Sequence, residues 1–380
     1  MTNPWNSAAA QGRKRFIAVL AFSDSFTLHK RYNKDLYSFY EALLNGVAED
    51  GTTAESLGFK GSVSSYWQDN SKGAFEPMFD ILLMPSACFS QNLAYYGEDG
   101  PEEGSDIHKC DLFTEVVSYF KAELLEARND IHYLESDGEL SSLIVICPGY
   151  SQSAITGARQ LIWSSMWHTN YPLLLKYDGL SFHTVMTCSE INSGGMPNIG
   201  PFCHEFAHVV GLPDIYDTNG TEGGLSSSLP DCYSLMCNGL NNESGLRPPY
   251  LTSVEKDIFF GKLWGLRPIE GAQGIIDLHP VQSGEFIRMD NGRGEYIYIE
   301  YRDGSGWDAG LKRDVLVYHV DRSAESPWRL RAQLNTDARH PRYYRLRGGF
   351  PMEPQDWEGE PFGRSISVEA MGETARIRIM

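Results

Sequence analysis

The stretch His204-Glu205-Phe206-Ala207-His208-Val209-Val210-Gly211-Leu212-Pro213-Asp214 decides how this chain reads. On a helix, residues four apart share one face with Cβ atoms about 5–6 Å apart, so His204 and His208 can hold one metal ion. Glu205 follows the first histidine, where its carboxylate can face a water on that metal. Gly211 can take the left-handed conformation that ends a helix. The turn it makes can carry Asp214 back as a third ligand.

These residue types suit zinc hydrolysis. Three protein ligands leave a fourth position for water, whose pKa falls to about 7 on the metal. Glu205 would take that water's proton and return it to a leaving amine; as a ligand it would deprive the water of its base. A bare His-Glu-x-x-His arises by chance in many chains, and two core histidines with Glu205 on the solvent side would give the same letters. The extension by Gly211 and Asp214 is hard to explain by packing. Asp214 could instead cap the turn after Pro213. Glu222, Glu243 and Glu255 are alternative third ligands, Glu255 in the manner of thermolysin-like enzymes, but the glycine turn delivers only Asp214. Further on, Tyr233-Ser234-Leu235-Met236 before Asn238-Gly239 has the form of a tight turn carrying a methionine. In metzincin peptidases such a Met-turn is an apolar floor beneath the metal ligands. Alone, Met236 would read as a gap-filler.

With 380 residues, 42% hydrophobic and 12% aromatic, the chain can bury a large core and is globular in composition. The net charge of −18 argues against binding nucleic acid or anionic lipid. The longest apolar runs are strand-sized, so no membrane span is expected. No apolar segment suited to a signal peptide opens the chain. Cys88, Cys110, Cys147, Cys188, Cys203, Cys232 and Cys237 include no CxxC pair, which disfavours a cysteine metal site or a dense disulfide framework.

Periodicity predicts strands over 16–22, 74–84, 143–147 and 182–188, the third ending at the turn signal Pro148-Gly149. It predicts helices over 32–47, 62–68, 112–128 and 254–263. Beyond residue 274 the pattern shifts to short alternating runs over 295–301, 315–320, 365–370 and 375–380. The expected fold is α+β: a disordered leader over 1–13, a catalytic domain over 14–266, and a β-rich domain over 267–380, read as a sandwich, with a boundary near Arg267-Pro268.

The chain resembles the immune inhibitor A family of secreted metallopeptidases. HEFAHVVGLPDIYD over 204–217 is similar to that family's zinc signature, and Ser234-Leu235-Met236 looks like its Met-turn. SVSSYWQDNSKGAF over 62–75, Tyr95-Tyr96-Gly97, EYIYIEYRDGSGWDAGL over 295–311 and VLVYHVD over 315–321 also resemble family segments. The resemblance covers most of 14–325 and implies a metzincin-like zincin domain, with His204, His208 and Asp214 on zinc and Glu205 as general base and acid. It implies a secreted or cell-surface enzyme, made as a zymogen and acting on extracellular proteins. Ala207 stands where the family usually has glycine, and Cys237-Asn238 replaces small polar residues. Asn238 takes the place of the zinc-facing tyrosine of astacin-like metzincins. Tyr216 and Tyr233 are candidate oxyanion stabilisers; for both, as for His319, a structural role is favoured, and Glu300 and Arg302 read as a local ion pair. Residues 217–222 could hold calcium, though without regular spacing. A monomer is expected, with protein or peptide substrates lying along an edge strand before the helix. Two other readings are an adhesion or glycoprotein-binding protein on a zincin fold, and hydrolysis of a non-peptide substrate.

Overall fold

Gly12–Ala21 forms the first strand, β1, and every residue from Phe16 to Ala21 is buried, as in a parallel strand covered on both faces. The computed structural model describes residues 8–155, 157–168, 180–216, 231–321, 343–346, 351–356 and 359–380. The chain divides into two compact units, Met1–Leu212 with Asn241–Arg247, and Pro213–Leu240 with Pro248–Met380. The fold is mixed α and β.

In the first unit β1 pairs in parallel with Phe75–Met84 (β2) and Leu140–Tyr150 (β3). Ser165–His168 (β4) runs antiparallel to Phe182–Ile191 (β5), which is parallel to β3, giving the order β2-β1-β3-β5-β4. Besides two four-residue helical turns at Leu28–Arg31 and Leu93–Tyr96, the described helices of this unit are Leu36–Asn45 (α1), Val63–Ser71 (α2), Lys109–Tyr119 (α3), Lys121–Ala127 (α4) and Ile199–Val209 (α5). Successive strand residues face opposite sides, and each side is claimed by different helices. Ile17, Val19 and Ala21 join Leu112, Phe113, Val116 and Leu124 in one apolar cluster. Phe16 faces the other way, its ring centroid 4.8 Å from that of Phe206 in α5.

Three expectations need correction. The segment expected as a leader is structured from Ala8 on: Ala8 and Ala10 are buried, and the Ala8 N–H donates to the Val209 carbonyl at 2.8 Å. Residues 1–7 lie outside the described residues. Pro148-Gly149 does not end β3; the register shifts between Cys147 and Tyr150, so the turn signal is taken up as a bulge, with Gly149 at φ 82°. The single helix expected over 112–128 starts earlier, at Lys109, and breaks at Phe120 (φ −96°, ψ 25°), a buried member of the core cluster.

In the second unit, Ser253–Glu255 (α6) opens on a capping box with Thr252. It continues as a π-turn over Lys256–Phe260 and a 3-10 turn over Gly261–Trp264, so the helix expected over 254–263 is irregular. Arg267–Glu270 (β6), Gly274–Leu278 (β7), Glu285–Asp290 (β8), Glu295–Arg302 (β9), Asp314–Asp321 (β10), Tyr343–Leu346 (β11), Ile366–Met371 (β12) and Ala375–Ile379 (β13) follow. They form sheets of order β11-β10-β9-β8-β6 and β12-β13-β7. Alternation sorts β9 into two faces. Ile297, Ile299 and Tyr301 enter an apolar cluster with Leu278, Ile366 and Ile377 from the smaller sheet, while Tyr298, Glu300 and Arg302 lie on the other face. Among the described residues, no helix is long and apolar enough to cross a membrane.

Candidate metal centre

Helix α5 separates an apolar face from the face that carries both histidines. Phe202 and Phe206 are four apart, and two residues of rotation, about 200°, set His204 and His208 on the opposite side. The Phe206 ring lies against Phe16, Trp67 and Phe79, with centroids 4.8, 5.6 and 5.2 Å away, which fixes the rotation of the helix. The two imidazoles are near-perpendicular, with centroids 4.9 Å apart. His204 is buried, while Glu205 and His208 are partly exposed.

The helix ends as its sequence anticipates. Gly211 has φ 100°, and the Gly211 and Leu212 N–H groups donate to the His208 and Ala207 carbonyls, each at 2.9 Å. This pair of bonds is a Schellman motif, which needs a residue at positive φ. The reversal also sets a tautomer. His208 Nδ1 lies 2.7 Å from the Leu212 carbonyl, which can only accept, so Nδ1 carries the proton and Nε2 offers its lone pair.

The ligand atoms of His204, His208 and Asp214, all within one continuous stretch of eleven residues, lie within 4.8 Å of one another. Two imidazoles and a carboxylate at this separation are a donor set suited to a tetrahedral zinc ion with one position open. Two of the alternative candidates for a third ligand, Glu243 and Glu255, are engaged elsewhere. Glu243 pairs with Arg247 at 3.1 Å. Glu255 is buried and accepts from the Ser234 hydroxyl at 2.7 Å and the Thr252 N–H at 2.6 Å. Glu222 and the calcium candidate over 217–222 lie outside the described residues.

Met236 is fully buried, and its carbonyl accepts from the Ile215 N–H at 2.7 Å, next to Asp214. Tyr233 donates its hydroxyl to the Lys312 carbonyl at 3.1 Å, and Tyr216 is exposed. In the β-rich unit His319 bonds Glu295 at 2.6 Å. Arg302 pairs with Glu300 at 2.7 Å and Asp308 at 3.1 Å, all three fully buried. Cys147, Cys188, Cys203 and Cys237 are buried free thiols, and burial raises the pKa of each.

One pair near the centre escaped the sequence reading. Lys109 and Asp106 form a buried ion pair at 2.6 Å. Lys109 also donates to the Trp163 carbonyl at 2.9 Å and the Ser165 hydroxyl at 2.8 Å, while Asp106 accepts from the Trp163 N–H at 3.0 Å. Both backbone groups of Trp163 are thus held just before β4, the last strand in the described sheet order. Burial lowers the Lys109 pKa, opposed by the charges of Asp106 and Glu205. Nothing in the spacing of Asp106 and Lys109 announces this, because their partners lie more than fifty residues away.

Residues 19–265 match the sequence profile of a family described as immune inhibitor A peptidase M6, catalytic domain. Among curated relatives, pre-pro-metalloprotease PrtV of Vibrio cholerae serotype O1 is 24% identical over 294 residues, covering 67% of this chain and 31% of that protein. Immune inhibitor A of Bacillus thuringiensis subsp. alesti is 24% identical over 299 residues, covering 68% of this chain and 42% of that protein. The chain therefore spans less than half the length of either relative. The family match takes in well over half of the chain, including the whole of α5 and Asp214, and the chain belongs to the immune inhibitor A family of peptidases.

Proposed function

We propose that this chain is a zinc-dependent endopeptidase of extracellular proteins, with residues 14–266 as a metzincin-like catalytic part and 267–380 as a β-rich companion. The observation that carries the reading is the convergence of His204, His208 and Asp214. These three would hold the ion through one nitrogen of each imidazole and a carboxylate oxygen. Bound zinc supplies polarisation of the scissile carbonyl and acidification of water. Glu205 moves the proton: its carboxylate accepts from the attacking water and gives to the leaving amine nitrogen. Strand β4 ends the sheet order, and an extended substrate pairs with that edge. Met236 forms an apolar floor. The family resemblance supports a secreted or cell-surface protein acting on protein or peptide substrates, and the chain is read as a monomer. The intact Glu205 favours an enzyme over an adhesion protein on the same fold.

The test is metal stoichiometry. Purified protein should bind one equivalent of zinc, and Asp214→Ala should lose most of it with the helical circular dichroism retained. Stoichiometric zinc in Asp214→Ala would move the third ligand elsewhere.

A further inference from the structure

Glu255 is fully buried, carries a carboxylate, and has no place in the proposed proton transfer. Its two oxygens do different things. Oε2 accepts from the Thr252 N–H at 2.6 Å, and Thr252 Oγ1 accepts from the Glu255 N–H at 3.1 Å, which completes the capping box of α6. That motif needs one carboxylate oxygen. Oε1 is committed elsewhere, to the Ser234 hydroxyl at 2.7 Å.

Ser234 begins the methionine-bearing turn and is itself fully buried. A serine hydroxyl has one proton and two lone pairs. With the proton given to Glu255, the lone pairs are free to accept, and the Met236 N–H donates to Ser234 Oγ at 3.1 Å. The Ser234 carbonyl closes the turn, accepting from the Cys237 N–H at 3.2 Å and the Gly239 N–H at 3.0 Å. A Cβ on Gly239 would sit 2.4 Å from that carbonyl oxygen, so the turn admits only glycine there. From the far side of the turn the Met236 carbonyl holds the Ile215 N–H at 2.7 Å, one residue from Asp214. An unbroken series of bonds thus runs from Glu255 through Ser234 and Met236 to the backbone of the third ligand. Its other end is anchored as well, because Glu300 of β9 accepts from the Ser253 N–H at 2.5 Å.

We propose that Glu255, acting through the Ser234 hydroxyl, is a positioning residue that sets the methionine turn and thereby the Asp214 segment for metal binding. The inference rests on the zinc reading above. Glu255, one of the candidate third ligands in the sequence, would serve the metal from behind its floor. The β-rich strands, through Glu300, would be part of the same scaffold.

Zinc affinity, measured by competition with a chromophoric chelator, separates positioning from simple capping. Ser234→Ala removes the link and leaves the capping box; Thr252→Ala weakens the box and leaves the link. Positioning residues behind a metal ligand typically alter affinity about 10–100-fold, so Ser234→Ala should raise the zinc dissociation constant by that factor. Thr252→Ala should lower the melting temperature with zinc affinity unchanged. The visible spectrum of the cobalt(II)-loaded protein should move in Ser234→Ala alone. Wild-type affinity in Ser234→Ala, or equal losses in both variants, would overturn the positioning role while leaving the zinc site intact. A wild-type protein that binds no stoichiometric zinc would overturn the zinc reading, and this inference with it.

Discussion

His208 can offer a metal only Nε2, because its Nδ1 proton is held by the Leu212 carbonyl. The reversal at Gly211 therefore does two jobs: it orients the imidazole of His208, a proposed ligand, and returns the chain toward Asp214. Glu205 sits about 100° round the helix from His204, a rotation that keeps it near the proposed ligands without aligning it with them. Glu205→Gln keeps the volume and removes the proton acceptor. Turnover should fall about 10²–10⁴-fold while zinc content stays at the wild-type level. Near-normal turnover in that variant would remove Glu205 from the reaction. At this scale the sequence was most legible, since a helical period and a positive-φ glycine are local properties. Lys109 and Asp106 were not, because their meaning depends on Trp163 and Ser165 across the fold.

Among the elements, β4 is short and depends on its neighbours. It has four residues, pairs only with β5 among the described residues, and is preceded by Trp163, whose N–H and carbonyl are held by Asp106 and Lys109. Changing one member of this pair would strand a buried charge, so the informative variant is Asp106→Asn with Lys109→Met. If substrate lies along β4, KM for an unstructured peptide should rise about tenfold, the loss of about one hydrogen bond, with zinc content unchanged. An unaltered KM would place the substrate elsewhere. The sequence located most strands and helices, but their ends differed where tertiary contacts took over. Pro148-Gly149 reads locally as a turn, yet the Gly149 N–H donates to buried Glu190 at 2.9 Å and β3 continues past it. Phe120 fits the helical stripe, yet the helix breaks there.

For the molecule as a whole, the methionine turn, the Asp214 segment and the β-rich strands belong to one compact unit, although they are far apart in sequence. Inside that unit Arg302 is fully buried between Glu300 and Asp308 and also donates to the Tyr250 carbonyl at 2.9 Å. Arg302→Met would leave two buried carboxylates without their cation. It should cost about 3–5 kcal/mol in chemical denaturation, and a change below about 1 kcal/mol would contradict the role given to this network. In the sequence, Glu300 and Arg302 were readable only as a local pair; Asp308 and Tyr250 complete the cluster through the fold. The central claim, metal-dependent peptide hydrolysis, is tested most directly by casein cleavage with and without a zinc chelator. Cleavage should stop with the chelator and return on adding zinc; cleavage indifferent to the chelator, or none from the zinc-loaded protein, would contradict it.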